Sequence, residues 1–300
     1  MDTVNRTPDA RFANLSGYRY SANYVEDLPM FEGLRAHYVD TGPADSEQVF
    51  LCLHGEPTWA YLYRRMIPLF EAVKGRVIAP DFFGFGRSDK PADENTYTFD
   101  FHRRFLVELI KRLDLNNITL VCQDWGGVLG LILPIEFPER FSRLIVMNTM
   151  LGTGDEPLSK GFIAWRQWVR DNPQMAVGRL LKRSCPHLTD DEAAAYDAPF
   201  PGNEYLAGVR RFPELVPDRV DANGADVSRR ARDWWRDEWR GQAFMAVGMA
   251  DLVLGGPVMN ALRQNIRGCP PPFEIPEGGH FLQEWGDVVG REALTAFSRG

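Results

Sequence analysis

Short apolar runs punctuate the chain, and longer stretches with helical spacing separate them. Val49 to Leu53, Arg76 to Ala79, Ile118 to Cys122 and Phe141 to Met147 are runs of strand length rich in β-branched and large apolar residues. Such continuously apolar strands belong to a sheet buried on both faces. Between them, Trp59 to Phe70 and Phe99 to Leu113 have the spacing of helices with one apolar face. From 49 to 148, then, strands and helices alternate, which predicts a mostly parallel central sheet flanked by helices. Ahead of this, residues 1–20 read as an irregular lead-in. Tyr24 to Val39 reads as a hairpin whose second strand, FEGLRAHYVD, ends at the turn Thr41-Gly42.

After Asn148 the pattern changes. Residues 152 to about 228 hold charged helical pieces broken by prolines and no strand pattern. We read 151–228 as an inserted helical cap, and 1–150 with 229–300 as the α/β core that it interrupts. GQAFMAVGMAD restores the strand pattern and ends at Asp251. A helix over Gly256 to Arg267, a short strand in PFEIPE, the loop Gly278-Gly279-His280 and a helix over Val288 to Phe297 complete the chain. No internal repeat or low-complexity segment interrupts it.

Composition narrows the function classes. A formal charge of -7 and a pI of about 5.4 argue against nucleic acid as a partner, because phosphate binding needs a positive field. The four cysteines, Cys52, Cys122, Cys185 and Cys269, are far apart, with neither disulfide-framework nor zinc spacing. No signal peptide and no apolar run of membrane-spanning length is present, so a cytoplasmic enzyme without membrane association is expected. We also expect a monomer.

The chemistry centres on Ile118 to Gly127, ITLVCQDWGG. A buried strand breaks sharply into a helix, and small residues, Cys122 and Gly126, flank Asp124 at the break. This resembles the nucleophile elbow of the α/β-hydrolases, usually G-x-S-x-G, with aspartate where the serine stands. A carboxylate there can displace a leaving group from carbon and form an ester. The plainer alternative is an aspartate that caps the following helix. Two further titratable residues, Asp251 and His280, stand where strands should end, and the order nucleophile, acid, histidine is that of the hydrolases. Loops beyond the carboxyl ends of parallel strands converge on one face, so the three can meet.

His54-Gly55-Glu56-Pro57 follows another strand. Pro57 has no N–H, which leaves the Glu56 N–H as an oxyanion donor, with the Trp125 N–H as the second. We assign His54 to shaping that loop rather than to base chemistry. The glycines of FFGFGRSD lack the G-K-[ST] of a phosphate loop and read as a loop packed against the elbow.

HGEPTWAYLYRRMIP, VIAPDFFGFGRSDKP, YTFDFHRRFL, NITLVCQDWGG, FMAVGMAD and EGGHFLQE together resemble segments of the haloalkane dehalogenases, most closely the subfamily typified by the 1,2-dichloroethane-hydrolysing enzyme. The resemblance runs from about Arg35 to Phe297. It implies an α/β-hydrolase fold with Asp124 as nucleophile, Asp251 as the acid that orients the base, and His280 as the base. It also implies Trp125 as one halide-binding indole and, through GF-x-AW, Trp165 as the other. Phe162 and Val128 are implied as pocket residues; Val128 replaces an aromatic of that enzyme and suggests a roomier cavity. The segment from Asn148 to Gly161 is shorter than its counterpart there, so substrate size does not transfer with the mechanism.

The implied partners are a small halogenated alkane, a halide ion and water, with no metal or organic cofactor. Epoxide hydrolases resemble this scaffold too, but their chemistry needs cap tyrosines that protonate an alkoxide. Tyr196 and Tyr205 are the candidates here, and neither sits in such a pattern. A non-enzymatic binding protein on the same fold would be expected to lack part of the constellation.

Overall fold

The computed structural model describes residues 3–299. Eight strands form one sheet: β1 (Asn23–Val25), β2 (Ala36–Thr41), β3 (Val49–Leu53), β4 (Arg76–Pro80), β5 (Ile118–Cys122), β6 (Phe141–Met147), β7 (Gln242–Gly248) and β8 (Phe273–Ile275). Their order is β8-β7-β6-β5-β3-β4-β2-β1. β2 pairs antiparallel with both β1 and β4, while every pairing from β4 to β8 is parallel. Every residue of β3 and β5 is buried, as their unbroken apolar runs require.

Register aligns the strand ends. Leu53 stands opposite Cys122, Cys122 opposite Val146, and Gly248 opposite Ile275. The loops starting at His54, Gln123, Asn148, Met249 and Pro276 therefore leave the sheet along one edge.

Helix α1 (Ile67–Ala72) precedes β4, and α2 (Phe99–Arg112) precedes β5. The side chain of Thr98 caps α2 by accepting from the Phe101 N–H at 3.0 Å, and its buried face repeats at Phe99, His102, Phe105, Leu106 and Leu109. The single helix expected from Trp59 to Phe70 is instead a 3-10 segment, Ala60–Arg65, followed by α1. Pro68 lies in the first turn of α1, where its missing N–H costs no hydrogen bond; further inside a helix it would break one.

After the elbow helix α3 (Trp125–Gly130) and strand β6, the chain enters α4 (Lys160–Asp171), α5 (Val177–Ser184), α6 (Asp190–Asp197), α7 (Ala207–Leu215) and α8 (Ala225–Asp237) before β7. Thr189 and Glu192 form a reciprocal capping box at the start of α6. The boundary expected at 228/229 falls inside α8. That helix is tied to the core by buried Trp235, whose indole N–H donates to the Leu131 carbonyl at 2.6 Å. Of the tryptophan-rich stretch 233–239, Trp235 and Trp239 are buried, Trp234 is half-buried, and the charged residues between them are exposed. Helices α9 (Gly256–Gln264) and α10 (Gly286–Ser298) flank the last strands. No helix among the described residues is long and apolar enough to cross a membrane.

Candidate active site

Asp124 sits between β5 and α3 with φ 49° and ψ −127°, a conformation that side chains other than glycine rarely adopt. Its surroundings hold it there. The Asp124 N–H donates to the Asn148 carbonyl at 3.0 Å, and its own carbonyl accepts from the Thr149 hydroxyl at 2.7 Å. A Cβ at Gly126 would stand 1.9 Å from the Leu53 carbonyl oxygen, so only glycine lets the elbow approach β3 this closely. The Asp124 side chain makes no cap bond to α3, which removes the plainer reading of that residue.

The carboxylate is held instead by the neighbouring strand loop. The Glu56 N–H donates to Asp124 Oδ1 at 2.8 Å, and a Cβ at Gly55 would lie 2.4 Å from that same oxygen. Asp124 Oδ2 faces His280 Nε2 at 3.4 Å. The Trp125 N–H has no acceptor among the described residues.

His280 Nδ1 lies 2.8 Å from Asp251 Oδ2. That oxygen also accepts from the Asn148 side-chain amide at 2.9 Å, and Asp251 Oδ1 accepts from the Val253 N–H at 2.8 Å. Burial would raise the Asp251 pKa, but the charge and hydrogen bond of His280, with those of Asn148 and Val253, bring it down to about 2. For His280 burial acts in the opposite sense, and Asp251 and Asp124 overcome it to raise the imidazole well above 6.5. Asn148 and Gln123 were not singled out from the sequence. Asn148 braces Asp251, and the buried Gln123 donates to the His280 carbonyl at 2.9 Å. Their only signal was position, each one residue past the end of its strand.

His54 is buried and turned away from the reaction. Its Nε2 accepts from the Phe82 N–H at 3.0 Å, Nδ1 lies 3.0 Å from the Gly55 carbonyl, and burial lowers its pKa. The loop FFGFGRSD wraps the Asp81 carboxylate, which accepts from the Ala60 and Arg87 N–H groups, both at 2.8 Å.

Asp124, Asp251 and His280 open into a cavity of about 370 Å³ whose walls include Glu56, Trp125, Phe162 and Trp165. The Trp125 ring is locked edge-on against Phe212 at 4.8 Å, and Trp165 stacks on Trp168 at 5.3 Å. Among the described residues neither the Trp125 nor the Trp165 indole N–H donates to a protein acceptor, although Trp165 lies close enough to Glu56 to favour its ionised form. Burial, reinforced by the Asp124 charge, nonetheless raises the Glu56 carboxyl well above its usual range. Val128, expected at the pocket, is buried in α3 and does not border the cavity. Its position one turn into the helix points it at the core. Leu180, Arg183, Pro213 and Leu252 border the cavity without having been anticipated. A neighbouring cavity of about 270 Å³ shares Phe162 but contains none of the three titratable groups.

Comparison with known proteins points the same way. The family model for the alpha/beta hydrolase fold matches residues 48–287. A haloalkane dehalogenase of Psychrobacter cryohalolentis is 45% identical over 288 residues, covering 94% of this chain and 93% of the relative. One of Mycobacterium marinum is 40% identical, covering 95% of each. The solved structure of a haloalkane dehalogenase from Paraglaciecola agarilytica, described as tetrameric, superposes with a TM-score of 0.97 at 48% identity, covering 99% of both chains.

Proposed function

The chain belongs to the haloalkane dehalogenase family of the α/β-hydrolase superfamily and hydrolyses carbon–halogen bonds of haloalkanes; from that premise we propose how its residues divide the reaction. Asp124 Oδ2 attacks the halogen-bearing carbon from behind, the carbon–halogen bond breaks, and the halide leaves with the bonding pair. The product is an alkyl ester on Asp124. Oδ1, already held by the Glu56 N–H, becomes the ester carbonyl oxygen.

The departing halide develops its charge in a largely apolar enclosure, where a donor is worth more than in water. Trp125 and Trp165 each offer one indole N–H and an apolar flank. No proton is needed for this step, which suits a cavity bordered by indoles. An epoxide would need a proton donor for its alkoxide, and no tyrosine borders the cavity among the described residues. Tyr196 is bonded to Glu284 instead.

Water then hydrolyses the ester. His280 takes its proton, the hydroxide adds to the carbonyl carbon, and negative charge collects on Oδ1 opposite the Glu56 and Trp125 N–H groups. Collapse of that intermediate passes the proton of the added hydroxyl to the departing alkoxide, which leaves as the alcohol, and restores the Asp124 carboxylate; the proton on His280 is then lost to solvent. Asp251 stabilises the imidazolium throughout. Esterification itself prepares the base: it neutralises Asp124, one of the two carboxylates that hold the His280 pKa up. No step calls for a metal or an organic cofactor.

The observation that carries this reading is the geometry at Asp124, a strained carboxylate with one oxygen on a backbone N–H and the other facing His280. Rapid quenching of a bromoalkane reaction followed by mass spectrometry tests it. The alkyl adduct is expected on the peptide containing Asp124, and an adduct on any other residue overturns the assignment. We further take 151–224 as the cap over this cavity, with α8 joined to the core. Four free, buried cysteines favour a reducing compartment such as the cytoplasm. The expected monomer stands against the tetramer described for the relative from Paraglaciecola agarilytica, and light scattering on the purified protein decides between them.

A further inference from the structure

Helix α5, which borders the cavity through Leu180 and Arg183, and α6 packed beside it also grip the loop that carries the base. The carbonyl oxygen of Ser184, at the end of α5, lies so near Gly279 that a Cβ there would stand 3.1 Å from it. A ring nitrogen of His187 meets the Glu284 carbonyl at 3.3 Å, and the same ring packs edge-on against Trp285 at 4.6 Å. From α6, the Tyr196 hydroxyl donates to Glu284 Oε1. Arg64 donates to both oxygens of that carboxylate, at 2.7 and 2.8 Å, and Arg65 adds a third bond at 3.1 Å. Both arginines also hold Glu192 of α6, at 3.0 and 2.6 Å. Arg64, Tyr196 and Glu284 are buried.

Two arginines against two glutamates leave this cluster neutral. Burying such a group gives little net stability compared with apolar packing of the same volume, but it tolerates few alternative geometries. Glu284 lies four residues beyond His280 in a tight segment, where the Glu284 N–H donates to the Phe281 carbonyl at 3.0 Å and the Leu282 N–H to the His280 carbonyl at 3.1 Å. From the opposite side Gln123 holds that same His280 carbonyl. The base thus hangs between two fixed points, one on the elbow and one on the roof.

We propose that Tyr196 is a positioning residue for His280, acting through Glu284, so that the seating of α5 and α6 governs ester hydrolysis while leaving ester formation alone. The proposal rests on the two-step reading above. Ester formation needs Asp124, which is fixed by β5 and the Glu56 loop. Hydrolysis needs the imidazole within reach of a water, where an error of about 1 Å can cost on the order of a hundredfold in rate.

Tyr196→Phe removes one hydroxyl and keeps the ring; Glu284→Gln keeps the shape and removes the charge. Each variant is checked for folding by thermal melting, then mixed with a bromoalkane in excess and quenched on the millisecond scale. Bromide burst, alcohol formation and ester on Asp124 are followed separately. Tyr196→Phe is expected to keep the burst rate within about twofold, to slow alcohol formation about tenfold or more, and to accumulate ester. Glu284→Gln should do the same more strongly; if it does not fold, Tyr196→Phe carries the test. A merely structural role would lower the melting temperature without changing the ratio of the two steps. A wild-type ester with that ratio unchanged in folded Tyr196→Phe overturns the positioning role alone. Absence of ester on Asp124 in the wild type overturns the chemical reading, and the positioning role with it.

Discussion

The floor of the cavity and the helix that carries Trp165 are held in different ways. Asp124, Asp251 and His280 follow strand ends whose neighbours are fixed by register, and backbone or buried amide hydrogen bonds reach each of them. Trp165 stands on α4, which is tied chiefly to other parts of the insertion. Arg166 donates to the Pro213 carbonyl at 3.0 Å and pairs with Asp218 at 2.9 Å, and Arg170 pairs with Glu214 at 2.7 Å. Arg170 is exposed, and an ion pair in that setting adds little to stability. Toward the core, the Ser159 hydroxyl donates to the Val253 carbonyl at 3.1 Å. A floor fixed this firmly suits atoms that must meet a reacting carbon. Helix α4, with weaker ties, can change the size of the space above the floor without disturbing the chemistry below, unlike α5 and α6, which touch the loop that carries His280.

Removing the floor's nucleophile should have the largest effect. Freshly prepared Asp124→Asn is expected to show no detectable halide release, because the amide oxygen cannot displace halide as a carboxylate does. Rapid turnover without deamidation back to aspartate would break the division between floor and roof. His280→Gln sharpens it, since the loss falls on the second step only. It should release about one halide per active site and then stall as the ester, with Asp124 still acting as the nucleophile. Steady multiple turnover would mean that another group activates water.

The same division explains what could be read from the sequence. A strand buried on both faces is a nearly continuous apolar run that ends where polar residues begin, so Val49–Leu53 and Ile118–Cys122 match their expected spans from end to end; Phe141–Met147 matches too, although Ser142 and Arg143 leave its first half only partly buried. Their ends located Asp124 and the Glu56 loop. Helices carry less information about direction. Leu180 and Pro213 follow the same apolar spacing whether a face meets a cavity or another helix, and only packing tells them apart. Val128 was placed at the pocket by resemblance alone, and packing within α3 keeps it off the cavity wall. The break of the 59–70 helix at Pro68 was visible in the sequence, but the spacing of apolar residues across it suggested continuity. Asn148 and Gln123 act across strands, through contacts that no local pattern records.

Trp165 tests how much the roof contributes. Trp165→Phe keeps most of the apolar volume and removes the indole donor. Loss of one well-aimed donor to developing charge is worth roughly 2–4 kcal/mol by analogy with oxyanion holes. The alkylation rate should fall accordingly, and chloride and bromide affinity should weaken. Chlorinated substrates should suffer more than brominated ones, because the poorer leaving group demands more stabilisation in the transition state. Wild-type alkylation and halide affinity in this variant would place the whole halide site on the floor.

Trp168 separates donation from support within the roof itself. It lies three residues beyond Trp165 on the same helix, and sequence spacing alone allows either indole to meet the halide. Trp165 borders the cavity, whereas Trp168 does not and instead stacks on Trp165, with ring centroids 5.3 Å apart and planes 17° from parallel. Such a pair is worth about 0.5–1.5 kcal/mol beyond the area it buries. Phenylalanine at 168 keeps a stacking partner and removes only part of its surface, so Trp168→Phe should lose only a fraction of that. Halide affinity and single-turnover alkylation should then fall by about threefold or less, well short of the effect of Trp165→Phe. The loss should be similar for chloro- and bromoalkanes, because no donor to the leaving group has been removed. If Trp168→Phe instead lost halide binding while Trp165→Phe kept it, α4 would have to sit rotated on the working enzyme, and Trp168 would be the second indole.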